Sequence, residues 1–417
     1  MRDLVPAIGS RLSEGAPMRL RFVAELTRPG PWMFASFWAL ESLARSIVAP
    51  VIPVAAYDLM GGSDLKMTFM FVIVGVVSIA SAFAIPFVVH RLKPVRTYQL
   101  GAVLVAIAPL IMAFGTFTTV FSGLFVRVFA ANCLAVGLSL FIMAYIRKRD
   151  MGRSEPIRVL MASVPWAIGP TLGLWLYENK GLSAPFLTSA FVALALIAYL
   201  VIVRIDETPI LRAAPKKVTN PLTYLPRFFV QPRLRLSYLL IFGRENWWWM
   251  IYLYLPVYAE RNGMEVKVWG IDLPAGGLAL SFCSGIQLAA PLWGRLMARI
   301  GMRRHMIGGL VITGSIILLA GITFGDPWIV MGLVLLSSVS LTSLEAAGNT
   351  PFLRAVRGRE RTEMSMVYGT FRDMVGLVVP TVYTLILIFF ELNAVFIATG
   401  LAMFIYAWYA RHLPKGM

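Results

Sequence analysis

The chain has 417 residues, 58% of them hydrophobic and only 14% charged, with a mean hydropathy of +0.75. A soluble domain has about 45–50% apolar and about 25% charged residues, so composition excludes a soluble globular protein. The net charge is +17, from 38 Lys and Arg against 21 Asp and Glu; its distribution along the chain excludes nucleic acid as the partner.

The elements follow in chain order. Residues 1–31 hold five arginines and lack the apolar core and small-residue cleavage site of a signal peptide; they read as a cytosolic N-terminal tail. Met18, opening "MRLRFVAEL", is an alternative natural start to Met1. Twelve hydrophobic segments then follow, near 32–57, 66–89, 97–115, 118–146, 157–178, 183–203, 236–259, 273–297, 305–324, 328–351, 364–389 and 392–410. Runs of ~20 apolar residues cross ~30 Å of hydrocarbon as helices, whereas a membrane barrel shows alternating segments of ~10 residues. The fold class is an all-α polytopic membrane protein. A polar, proline-rich connection, 204–235, divides an N-terminal six-helix bundle, 32–203, from a C-terminal one, 236–410. A cytosolic tail, 411–417, closes the chain.

With the N-terminus inside, thirty Lys and Arg fall on inner segments, and only Lys66, Lys180, Arg261 and Lys267 on outer loops. That asymmetry obeys the positive-inside rule. It predicts a multi-pass protein of the cell (inner or plasma) membrane with both termini cytosolic, basic loops against acidic lipid headgroups, and no nucleic-acid partner. Cys133 and Cys283 lie in apolar segments and suggest neither a disulfide nor a metal site. No cofactor is expected, and the chain is expected to act as a monomer.

Four cations, Arg45, Arg127, Arg244 and Arg372, and four acids, Glu41, Glu245, Glu345 and Asp373, lie within the apolar segments. A charge at the bilayer centre costs about 2.5–3.5 kcal/mol on the most lenient scale unless paired or hydrated, so these eight are expected to face the protein interior. They fall on the first, fourth, seventh, tenth and eleventh segments, and the third, sixth, ninth and twelfth have charge-free cores. Most lie roughly 13–15 Å into their helices by the 1.5 Å rise, close to the midplane; Glu345 lies nearer the cytosolic third. Glu41 and Arg45 are spaced i,i+4, the favourable order for an intrahelical pair. Arg244 and Glu245 are adjacent and project about 100° apart, so each is expected to find its partner on another helix; the same holds for Arg372 and Asp373. Bridges that form in one state and break in another would gate a pathway. A carboxylate that takes a proton as its cation leaves would couple that gate to protons.

Trp248 lies one turn after Arg244, where a cation–π contact is expected, and Trp249 one turn after Glu245. With Tyr252 they form either a packed wall or an aromatic surface for a flat apolar substrate. Asn246, Asn132, Asn349 and Gln287 add hydrogen-bonding groups. His90, His305 and His412 all lie near cytosolic helix ends, so no membrane-embedded histidine serves an enzyme or a proton relay. No G-x-x-x-x-G-K-[ST] phosphate loop is present, which disfavours an ATP-driven pump.

Two pieces recur at a spacing near 203–208. "APVIPVAAYDLMG" at the end of the first segment matches "YLYLPVYAERNG" at the end of the seventh; "PFVVHRLKPVR" after the second matches "GRLMARIGMRR" after the eighth. Symmetry between halves is a transporter signature. The chain resembles the major facilitator superfamily over nearly its whole length. That family repeats a loop signature of the form G-x-L-x-D-R-x-G-R-R. Here Gly294, Leu296, Arg299, Gly301, Arg303 and Arg304 match it and Ala298 replaces the acid, whereas the first copy keeps Arg91 but has Pro86 and His90. The resemblance implies that this loop holds the outward-facing state through charge contacts, which without either acid must be built differently here. "RVFAA" in the fourth segment is similar to the family's R-x-x-x-G motif and implies that Arg127 serves proton coupling. "GPTLG" in the fifth, with Gly169, Pro170 and Gly173, is similar to its antiporter motif. The resemblance further implies that the first, fourth, seventh and tenth helices line a central cavity and the third, sixth, ninth and twelfth face lipid, the partition that the charges also mark.

The expected function is secondary active transport by alternating access: proton-coupled export, by antiport, of a small hydrophobic or amphipathic organic compound. Glu41, Glu245, Asp373 and Arg127 are the expected proton-coupling residues. Arg45, Arg244, Arg372, Trp248, Trp249, Tyr252 and Asn246 are expected to bind or gate the substrate. The alternatives are proton-coupled uptake of an organic anion read by the membrane arginines, an uncoupled facilitator, and a non-transporting receptor or scaffold on the same fold.

Overall fold

A computed structural model describes residues 27, 29–146, 151–203, 205–213, 221–357 and 360–414. Most of the expected tail 1–31, with Met18, lies outside the described residues. Twelve long helical stretches carry the fold: α1 Pro31–Leu59, α2 Asp64–Leu92, α3 Pro94–Met112, α4 Phe117–Tyr145, α5 Met151–Lys180, α6 Ser183–Val203, α7 Pro232–Arg261, α8 Ala275–Ile300, α9 Met302–Ile322, α10 Pro327–Ala355, α11 Val367–Phe389 and α12 Asn393–Ala410. Ten of these are long and apolar enough to cross a membrane. The other two, α5 and α7, have 30 residues each and carry more charge, and α7 adds polar-tipped Trp and Tyr residues.

Local chemistry sets where the helices start. The chain ends of α1 and α12 and the connection from α6 to α7 share one side of the molecule, the termini side. Helices that start there open on a proline at N1 in α1, α3 and α7, where its missing N–H costs no hydrogen bond. On the far side α2, α4 and α10 open on Ser63, Thr116 and Asp326, whose side chains accept the first free backbone N–H groups. Backbone breaks fall at the centre: α1 is interrupted at Ala49–Pro50, and α8 passes through a 3₁₀ turn at Ile286–Ala289. Irregular backbone at membrane depth is tolerated where it lines a cavity, and Ala49 and Gln287 do line one.

Within each half the helices pack as a bundle, with α1 against α5 and α6, α3 against α4 and α6, α7 against α8, α11 and α12, and α9 against α10 and α12. The halves meet along α1–α7, α2–α11 and α5–α8; α3, α6, α9 and α12 form the outer rows, as their charge-free cores predict. Close approach there needs glycine. A Cβ on Gly75 of α2 would stand 2.6 Å from the Gly376 carbonyl oxygen of α11.

The contacts between halves run from the midplane to the far side. At the far side Arg261 pairs with Asp64 at 2.9 Å and lies over the Tyr57 ring. Below it Tyr254 and Thr68 share a buried 2.7 Å hydrogen bond, and Thr171 meets Ser281 at 2.7 Å. At the middle Ser78 donates to Asp373 at 2.6 Å. The molecule is closed on its far side. On the termini side, Glu360 accepts from Gln231 and Arg227, which hold its carboxyl below the usual carboxylate range and tie the end of the central connection to the second half.

The repeated loops explain one backbone anomaly. Gly301 joins α8 to α9 at φ +84°, and the equivalent residue between α2 and α3 is Lys93, at φ +69° and ψ +159°. That region is almost exclusively glycine's, and a side chain there costs about 1–3 kcal/mol. The exposed Lys93–Glu207 pair at 3.6 Å offsets little of it. Lys93→Gly is therefore expected to stabilise the protein by about 1 kcal/mol after the added chain entropy of glycine, seen as a raised thermal midpoint in detergent. A midpoint unchanged or lowered would contradict the strain.

Candidate functional site

Two helices of the second half, α7 and α10, build one ionic cluster. Arg244, on α7, points toward α10 and holds two carboxylates. Its Nη2 lies 2.8 Å from Glu245 Oε1 and its Nη1 3.2 Å from Glu345 Oε2. The other oxygen of Glu345 accepts the indole N–H of Trp248 at 2.9 Å. The expectation that Arg244 and Glu245 could not meet is corrected here. Their Cβ directions diverge, but the long guanidinium stem folds back across the angle. The interhelical partner is Glu345, which depth alone had put toward the cytosolic third. Trp248 bonds the acid rather than offering its ring face to Arg244.

A cavity of about 590 Å³ lies between the halves. Glu245, Glu345, Trp248, Trp249 and Tyr252 line it from the second half together with Arg372, Ser284 and Gln287, and Arg127, Trp38, Phe71, Ser163 and Trp166 from the first. Trp248 stacks on Tyr252 with ring centroids 5.6 Å apart, and Trp166 meets Tyr252 edge-on from the opposite half. The Tyr252 hydroxyl shares a 3.0 Å hydrogen bond with Ser284, beside the 3₁₀ turn. Trp249 lies edge-on to Phe71 of α2, over Gly376. This is an aromatic box with two carboxylates on one wall.

Arg127 lines the same cavity and donates to the Arg45 carbonyl at 3.4 Å. Among the described residues no carboxylate lies within ion-pairing distance of it. The charges are thus divided: on the second half two acids share Arg244 and Arg372 lines the same cavity, and from the first half Arg127 faces them with no ion pair among the described residues.

Other expected residues stand elsewhere. Glu41 is 3% exposed and pairs with Arg45 at 2.9 Å along α1, as the i,i+4 spacing predicts; neither lines the cavity. Asn246 turns away from it, accepting from Tyr383 at 2.8 Å in a buried network with Thr399. Asp373 sits in the α2–α11 seam. Gly169 and Gly173 are packing positions: a Cβ would fall 2.0 Å from Ser46 Oγ and 1.8 Å from the Ile47 carbonyl oxygen of α1. Pro170 backs the α5–α8 seam, with its carbonyl oxygen 3.1 Å from where a Cβ on Gly277 would stand. Arg91 and Arg299 are exposed at the termini-side loops and Gly294 meets open space. Trp38, Phe71 and Trp166 were missed. Trp38 lies three residues before Glu41 and Trp166 three before Gly169, so nearness to those motifs was the available signal.

A closed-off far side, two helical halves and a charged central cavity are the architecture of a membrane transporter. The sequence profile of the Major Facilitator Superfamily matches residues 36–287, and the chain belongs to that family. No curated protein sequence matches it. Its fold is similar to that of a POT family transporter solved with a thioalcohol-conjugated peptide, at TM-score 0.69 and 15% identity over 91% of this chain and 94% of that one. It is similar also to a peptide transporter POT solved with alafosfalin, at 0.68 and 13% over 95% and 98%. The nucleoside transporter NupG matches at 0.67 and 12% over 91% and 98%.

Removing one partner of a buried ionic cluster is far more damaging than replacing all of it. Arg244→Met is expected to destabilise the protein by roughly 3 kcal/mol, read as thermal midpoint in detergent. Adding Glu245→Gln and Glu345→Gln is expected to restore most of that loss. A triple variant no more stable than Arg244→Met would show that the cluster is not held by its charges.

Proposed function

We propose that this transporter couples proton movement to the export of a small amphipathic organic compound, by antiport and alternating access. The observation that carries the reading is the sharing of Arg244 by Glu245 and Glu345 at the cavity wall. One guanidinium compensates one carboxylate and leaves a negative charge over. A proton can neutralise it in one state and the polar head of a substrate in the other; antiport needs such competition for one site. The aromatic box supplies a surface for a flat apolar body. The close α1–α5 packing at Gly169 and Gly173 supports the likeness to the antiporter motif.

Residues 32–203 and 236–410 would rock as two bodies about this cavity, with 204–235 as their connection. The basic termini side would face the cytosol, so the far-side closure corresponds to an inward-facing state. The working unit would be a monomer. The second reading, uptake of an organic anion with a proton, is favoured by Arg127, which lines the cavity with no carboxylate in ion-pairing distance among the described residues.

Two measurements decide. In proteoliposomes Glu345→Gln and Glu245→Gln are each expected to abolish pH-gradient-driven transport while leaving substrate exchange without a gradient; normal gradient-driven transport by both variants would sink the coupling role. In weakly buffered detergent an antiporter releases protons when substrate binds. Proton uptake on binding would instead favour symport, and no change would favour a facilitator or a scaffold.

A further inference from the structure

Between α7 and α8, on the far side, the chain forms a small antiparallel hairpin, β1 Glu265–Val268 and β2 Ile271–Pro274. Val268 pairs with Ile271, so the turn has two residues, Trp269 and Gly270, with φ of +49° and +84°. That is the turn whose twist suits a two-residue hairpin, and it favours Asn, Asp or Gly at both places. A bulky residue with positive φ is an outlier. A tryptophan in the first place breaks the local rule, and nothing inside the protein compensates, because Trp269 is 99% exposed. A local rule broken without an internal gain points to a function outside the chain.

The hairpin's placement says what meets the ring. Its base is clamped to the helix ends by the Ala275 N–H donating to the Met264 carbonyl at 3.0 Å. β2 then packs on α5 of the other half. The hairpin therefore packs back on α5 at the far-side end of the bundle instead of standing free of the helices. Ile271, beside the tip, is 54% exposed, and Phe282, two turns into α8 below it, is 49% exposed. Lys267 and Asp272 lie 3.7 Å apart across the hairpin and leave the tip without net charge. Tryptophan gathers at membrane–water interfaces, where its apolar ring and polar N–H are both accommodated.

We propose that this hairpin is a membrane-interface anchor, with Trp269 seated among the lipid headgroups of the far leaflet while the far side is closed. Because β2 rests on α5 and its strands continue into α7 and α8, opening the far side must part the hairpin from α5 and shift Trp269 in the leaflet. The neutral tip makes the anchor independent of anionic lipid.

The test keeps Trp269 and reports from beside it. Cys133 and Cys283 are buried, so a cysteine introduced as Lys267→Cys takes a polarity-sensitive fluorophore selectively. In phosphatidylcholine liposomes the label is expected to be quenched by a nitroxide on the lipid headgroup and shielded from aqueous iodide. With Trp269→Asn added, a change that suits the turn and leaves the fold intact, the headgroup quenching is expected to be largely lost. Strong iodide quenching with no nitroxide quenching would place the tip in water and overturn the proposal. Shielding from both quenchers would mean that another protein surface covers it, and overturns it too; so would quenching that Trp269→Asn leaves unchanged.

Discussion

A charged side chain at membrane depth has to be paired or kept wet, and this molecule's arrangement follows from that constraint. Arg244 is the centre of it. Its guanidinium holds Glu245 on its own helix and Glu345 on α10, and Trp248 bonds the second acid from the same wall. Satisfying three ions in this way draws α7 and α10 together at the midplane and turns their polar faces toward the gap between the halves. The cavity is where water and substrate can reach charges that the protein alone does not neutralise.

Across that gap the first half answers with a different solution. Glu41 and Arg45 pair with each other along α1, off the cavity wall, and Arg127 faces the cavity with no carboxylate within ion-pairing distance among the described residues. The asymmetry matters because the joints between the halves are mostly uncharged: a tyrosine–threonine bond, a serine–aspartate bond, glycine-mediated helix contacts and one rim ion pair. Such joints part at modest cost. The ionic cluster lies wholly within the second half, so rocking the halves leaves it whole and changes only what its free carboxylate face meets.

Much of the fold could be read from the sequence because it is written in quantities that the bilayer enforces. Segment length, loop charge and the charge-free cores of the third, sixth, ninth and twelfth segments follow from the cost of exposing polar groups to hydrocarbon. The Glu41–Arg45 pair was legible because i,i+4 geometry is local. The Arg244 cluster was not. Reading adjacent residues by their Cβ angle ignored the reach of an arginine, and reading Glu345 by depth ignored the cavity's extent. Trp38, Phe71 and Trp166 became site residues only through tertiary packing, and Trp269 only through a turn conformation that its residue type argues against.

The central claim is that the carboxylates around Arg244 carry an exchangeable proton. Difference infrared spectroscopy of the reconstituted protein across a pH step tests it most directly, by the carbonyl stretch of a protonated carboxyl. The account predicts a band that appears on acidification, is displaced by bound substrate, and is lost when Glu245 and Glu345 are both replaced by glutamine. The same band persisting in that double variant would contradict it.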